Sequence, residues 1–216
     1  MGLIVSQIYV GGYDKNLSYI INDIKTKNTV IVDPAGDLEK ILQIVETNEL
    51  ALIAVLLTHT HHDHYDKLDE LLQQYSVPVY VHEAGQEKIV SPFAIKPLVD
   101  NDELGIGKSQ LTVLHTPGHI KDAVCFYIDA ENAEDGVPKV ISGDTLFVDG
   151  CGRTTAEGVE DLYLSLQRLK KLPTSTIVYA GHDYGISRID TIGKQKISNK
   201  YLLAKDFEAF KTIRLR

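Results

Sequence analysis

The chain is short of cysteine: Cys125 and Cys151 are the only two in 216 residues. That count excludes a disulfide framework of the kind that staples small secreted domains. Long apolar runs are missing too. The longest, Leu50 to Leu57, has eight residues, against the roughly 20 that a membrane span needs. The N-terminus has neither a basic start nor a long apolar stretch, so no secretory signal is expected and the cytoplasm is the default location. Positive charge is in deficit. Lysine and arginine number 22 against 30 aspartates and glutamates, a net charge of −8, which argues against a broad electrostatic grip on nucleic acid. Internal repeats and low-complexity stretches are also absent. What remains is ordinary globular composition, 44% hydrophobic and 24% charged, in a length that favours one domain over residues 1–216.

Periodicity reads as a mixture of strands and helices. Leu3 to Val10, Ser18 to Ile24 and Thr29 to Val32 have strand character between polar turns. Leu38, Ile41, Leu42 and Val45 follow helical spacing, as do Leu68, Leu71, Leu72 and Tyr75. Leu50 to Leu57 reads as a strand buried on both faces, and Val77 to Val81 returns to strand. In the second half, strands are expected at 111–114, 124–128, 139–142 and 177–180, with a helix at 159–169 stopped before Pro173. The tail from Ile189 onward reads as patchily helical. Hairpins and crossovers are equally common, which predicts a layered α/β architecture with helices covering sheet faces.

The densest chemical signal is Thr58-His59-Thr60-His61-His62-Asp63-His64, with four of the eight histidines within six residues. It begins where the apolar strand ends, and a turn there can aim His59 and His61 to one side and Asp63 and His64 to another. Imidazole and carboxylate are the ligands that zinc, iron or manganese accept. Three further strands end in the same way, with a small residue followed by a potential ligand: His119 after Pro117-Gly118, Asp144 after Gly143, and His182 after Gly181. If these strand ends share one edge, seven ligands converge. His62 sits between ligand candidates and is expected to point away. His82 and His115 read as ordinary solvent-facing or half-buried residues.

These motifs, together with Asn16 to Ile21, Val32-Asp33-Pro34, Ser142 to Phe147, Gly150 to Arg153 and Gly181 to Tyr184, occur in an order that resembles the metallo-β-lactamase superfamily. Within it, the likeness is to the glyoxalase II-like (hydroxyacylglutathione hydrolase-related) branch. The resemblance implies a four-layer αβ/βα sandwich, two mixed β-sheets flanked by helices, with a centre for two divalent metal ions at one edge. Zinc is the expected metal, with iron or manganese as alternatives. By position, His59, His61 and His119 would hold one metal, Asp63, His64 and His182 the other, and Asp144 would bridge them. Asp63 and Asp144 would be the catalytic carboxylates, and Asp33 would stand behind the ligands. A water shared between two cations is deprotonated near neutral pH and attacks a carbonyl without a serine or cysteine nucleophile.

The implied substrate is a small-molecule thioester such as S-lactoylglutathione, hydrolysed to glutathione and a hydroxy acid. Arg153 and Tyr184 occupy positions where the family contacts glutathione, and a guanidinium suits a carboxylate. Thr155 stands where an aromatic residue is usual. A short basic tail of about residues 188–216, eight cations against three acids, is expected in place of a full glutathione-binding helical domain, and beside an acidic body it could hold an anionic thiol carrier. The alternatives are a hydrolase of another ester or lactone, and a persulfide dioxygenase in which His59, His119 and Asp144 hold a single iron. The complete ligand set argues against a non-catalytic metal-binding module, and the missing signal against a periplasmic β-lactamase.

Overall fold

The computed structural model describes residues 2–216, so Met1, counted in the expected domain, lies outside the described residues. Two six-stranded mixed sheets pack face to face. The first runs in chain order: β1 (Leu3–Gly11), β2 (Asn16–Asp23), β3 (Asn28–Val32), β4 (Ala51–Leu56), β5 (Val79–His82) and β6 (Ile95–Leu98). Its first three strands pair antiparallel and the rest parallel. The second sheet contains β7 (Glu103–Ile106), β8 (Ser109–His115), β9 (Val124–Ile128), β10 (Lys139–Gly143), β13 (Ile177–Ala180) and β14 (Ile189–Thr191), ordered 14-13-10-9-8-7. A two-stranded ribbon, β11 (Leu146–Phe147) and β12 (Gly150–Cys151), stands beside it.

Helices α1 (Leu38–Thr47) and α2 (Leu68–Gln74) close the outer face of the first sheet. Their apolar stripes, Leu38, Ile41, Leu42, Val45 and Leu68, Leu71, Leu72, meet Ile20, Ile31, Val55 and Val79 from the strands. Helices α3 (Val159–Lys170), α4 (Ile192–Ser198) and α5 (Phe207–Arg214) cover the second sheet over Cys125, Val140 and Val178. Between the sheets lies a third apolar layer that includes Tyr19, Val32, Leu56, Val113, Phe126 and Ile141. The result is the four-layer αβ/βα sandwich.

Three readings change. The strand from Leu50 is not buried along its whole length: Ala51 is exposed, and Ile53 is half-buried where a cleft opens between β4 and β7. The tail is not simply helical, since β14 pairs with β13 before α4 and α5 begin. His82 is buried rather than half-buried, with its ring stacked on that of His115 at 3.9 Å. No helix among the described residues is long and apolar enough to cross a membrane.

Candidate metal centre

The ends of β4, β8, β10 and β13 meet at one edge of the sandwich, and each delivers ligand candidates there. His59 and His61 follow β4, His61 in extended conformation, and a 3-10 turn at His62–His64 then brings Asp63 and His64 to the site. His119 lies in the turn after β8. Its neighbour Gly118 has φ +126°, and a Cβ there would lie 2.1 Å from the backbone nitrogen of Leu162, so only glycine admits the approach of α3. Asp144 follows β10 directly, and His182 follows β13 after Gly181.

The seven side chains form three overlapping trios, His59–His61–His119, His59–His64–Asp144 and Asp63–His64–His182, whose donor atoms lie within 4.8 Å of one another. His119 Nε2 approaches His61 Nδ1 at 2.9 Å, and His64 Nε2 approaches His182 Nε2 at 3.2 Å. Asp144 spans the first and last trios: its carboxylate oxygens lie 3.5 Å from His119 Nε2, 3.4 Å from His64 Nε2 and 3.3 Å from His182 Nε2. Its Oδ1 is buried without a hydrogen-bond partner. A buried carboxylate oxygen with no hydrogen-bond partner, set among converging imidazole nitrogens, makes a donor set that fits the divalent metals the sequence implies.

Groups behind the ligands fix their orientation. His119 Nδ1 donates to the carbonyl of Arg153 at 2.8 Å and His182 Nδ1 to that of Asp14 at 2.7 Å, leaving both Nε2 atoms turned inward. Asn16 Nδ2 donates to the backbone and side chain of Asp63, both at 3.0 Å. Asp33 is more than the end of a strand. It adopts φ +53°, a conformation rare outside glycine, and its carboxylate accepts from the Thr58 amide at 2.7 Å, the Thr58 hydroxyl at 2.6 Å and His64 Nδ1 at 2.9 Å.

The electrostatics follow from this packing. Burial, reinforced by the neighbouring histidines, holds His59 well below the usual imidazole range. Burial opposes charge on His64 as well, but Asp144 and Asp33 outweigh it and raise His64 well above that range. Asp144, despite its burial, is held well below the usual carboxylate range by His64 and His182.

An open cleft of about 730 Å³ reaches His61, Asp63, His119, Asp144 and His182. Arg153 and Tyr184, the two expected substrate contacts, line it. The Tyr184 ring stacks on His182 at 4.8 Å, and its hydroxyl donates to Asp14. Lys200, Tyr201 and Arg214 line it as well. The basic tail counted in the sequence thus reaches the site, although spacing alone did not single out these residues. Among the described residues none of Arg153, Lys200 and Arg214 pairs with a carboxylate. Cys151 also lines the cleft, and burial pushes its thiol up to about 12, so it offers no thiolate at neutral pH. His62 is exposed and packs edge-on against Tyr13 and Tyr65.

Comparisons with known proteins agree with this geometry. Residues 11–182 match the family described as the metallo-beta-lactamase superfamily. "Hydroxyacylglutathione hydrolase" from Bdellovibrio bacteriovorus is 35% identical over 178 residues, covering 82% of this chain and 67% of that protein. The chain thus spans about two thirds of that relative's length. "Probable polyketide biosynthesis zinc-dependent hydrolase PksB" from Bacillus subtilis is 32% identical over 207 residues, 93% of this chain and 88% of the relative. The crystal structure of ETHE1 from Myxococcus xanthus superposes with a TM-score of 0.84 at 31% identity, covering 99% of this chain and 90% of that one. The chain belongs to the metallo-β-lactamase superfamily, in its glyoxalase II-like branch of metallo-hydrolases.

Proposed function

We propose that this chain hydrolyses small-molecule thioesters of the S-acylglutathione type, S-lactoylglutathione being the first to test. The observation that carries the reading is the Asp144 carboxylate lying within 3.5 Å of histidines from both outer trios. His59, His61 and His119 would hold one divalent ion, Asp63, His64 and His182 the other, and Asp144 both. When bound, such a pair supplies a deprotonated water and a Lewis acid for the carbonyl oxygen. Zinc is the proposed metal, supported by the name of the Bacillus subtilis relative; iron and manganese are the alternatives.

The chain's own part is to aim and to select. The carbonyls of Arg153 and Asp14 keep His119 and His182 in the tautomer that faces the cleft. Tyr184 and Phe147 pack against each other beside His182 and bound the place where an acyl group would lie. Arg153, Lys200 and Arg214 offer unpaired cations to the acidic end of a thiol carrier. The thiolate product needs little protonation to leave, which makes a thioester suited to a site without a dedicated acid. Residues 188–216 act in this reading as one wall of the single domain, and the two free, buried thiols suit the reducing cytoplasm.

Purified protein loaded with zinc should release glutathione from S-lactoylglutathione, and Asp144→Ala should lose that activity by at least about a hundredfold. No turnover under zinc, iron or manganese loading would refute the assignment. One iron per chain with oxygen uptake on glutathione persulfide would replace it with the dioxygenase built on His59, His119 and Asp144.

A further inference from the structure

We infer that Asp122 and Lys88 form a positioning clamp for the His59–His61–His119 half of the metal centre; this rests on the two-metal reading above. Asp122 has no exposed surface. Its Oδ2 accepts from Lys88 Nζ at 2.7 Å and from the Thr60 hydroxyl at 2.6 Å, and its Oδ1 accepts from the Thr60 amide at 3.2 Å. Lys88 Nζ also donates to the Thr60 hydroxyl at 3.1 Å. Thr60 is therefore held by backbone and side chain together.

The position of Thr60 gives the clamp its target. It separates His59 from His61, and its side chain reaches Asp122 and Lys88 while theirs join the metal-site trios. Fixing Thr60 on one side fixes the backbone that presents both histidines on the other. Asp122 itself lies three residues beyond His119, in a tight turn closed by the Gly118 and Ala123 amides donating to the Ile120 carbonyl. One carboxylate therefore ties together the two loops that supply all three histidines. The turn at Glu83–Lys88 closes over the clamp so tightly that a Cβ on Gly85 would lie 2.7 Å from Asp122 Oδ2 and 2.8 Å from Thr60 Cγ2.

The other half of the centre has different supports: Asn16 for Asp63, Asp33 for His64 and the Asp14 carbonyl for His182. Nothing in the clamp touches them. Loss of the clamp should therefore weaken one metal and spare the other, whereas a merely structural ion pair would affect both alike.

The test is a zinc titration of the full chain against a chromophoric chelator, with the melting temperature of the metal-free protein measured alongside. Lys88→Met is the first variant, because the Lys88 side chain is 47% exposed and methionine keeps its unbranched stem; the buried Asp122 carboxylate then loses its cation, and the melting temperature of the metal-free protein reads that cost. Asp122→Asn is the second, and Lys88→Arg the conservative rescue. In both Lys88→Met and Asp122→Asn one zinc should weaken about tenfold or more, in the range seen when groups behind metal ligands are removed, while the other stays within about threefold. Lys88→Arg should restore it. In the cobalt-loaded protein the visible bands of the three-histidine site should change in the same variants. Equal weakening of both zincs, no weakening of either, or a lower melting temperature without selective loss would overturn the clamp. A wild type that binds a single zinc would overturn the two-metal reading instead, and the clamp would then stand or fall on whether Lys88→Met weakens that zinc.

Discussion

Gly181 packs directly against two of the side chains at the centre. A Cβ at this position would lie 2.4 Å from Asp144 Oδ1 and 2.8 Å from His64 Cε1, closer than any real contact tolerates. Gly181→Ala should displace the Asp144 carboxylate, so metal content by elemental analysis should fall by about one equivalent and kcat by at least about tenfold. A fully loaded, active variant would show that Asp144 does not need its present position. At this scale the convergence of the candidate ligands was legible, because four of the histidines crowd into six residues and His119, Asp144 and His182 each follow a small residue at a strand end. Their supports were not. Asp14 and His182 are 168 residues apart, Arg153 and His119 are 34, and the atom that Asp14 or Arg153 contributes is a backbone carbonyl that any residue could supply.

Asp23 shows how one side chain joins two elements. It ends β2, accepts from the Thr26 amide at 2.8 Å and the Lys25 amide at 3.1 Å, and reaches the Lys108 amide and Ser109 hydroxyl, both at 3.3 Å, in the turn between β7 and β8. Burial pushes its carboxyl up, but these donors outweigh burial and hold it below the usual carboxylate value. A depressed carboxyl stabilises the fold above its unfolded value of roughly 4, and that contribution fades as the pH falls through the lower folded value. Asp23→Asn should therefore cost about 1 kcal/mol at pH 7 and progressively less below roughly pH 4, read from urea unfolding at several pH values. A cost that stays constant into acid would exclude the charge as its source. Two edge strands, β6 and β7, were hard to see. β6 contains Pro97, a breaker in any central strand, tolerated because β6 is an edge. β7 has four residues, one of them glycine, too few for alternation to register. By contrast 124–128 and 177–180, apolar runs in the middle of a sheet, were legible to the residue.

Across the whole molecule the charge is divided. Residues 188–216 carry eight cations and three acids, so the rest of the chain bears −13 of the net −8. Lys200 and Arg214 bring part of that positive segment to the cleft. Raising the salt from about 0.05 to 0.5 M, which shortens the screening length to a few ångströms, should raise KM for an anionic thioester several-fold and leave kcat unchanged. The double substitution Lys200→Ala, Arg214→Ala should raise KM at low salt and flatten the dependence. A salt-independent wild-type KM would remove the tail from substrate binding. Element types and layering were legible at this scale, but strand order was not: which strands pair is decided by contacts between residues far apart in the chain, and periodicity carries no record of them.

The seam between the two sheets runs behind the metal centre. The Leu17 amide donates to the Gly181 carbonyl at 2.9 Å, the Asp183 amide to that of Lys15 at 3.0 Å, and the Tyr19 hydroxyl to that of Ala180. His59, His61, Asp63 and His64 belong to the first sheet's side of this seam, and His119, Asp144 and His182 to the second's. Parting the sheets would therefore part these seven side chains. Changes in the apolar layer that shift one sheet against the other would then reach the metal site, and natural drift in that packing, far from the site, would be constrained by an affinity it does not touch.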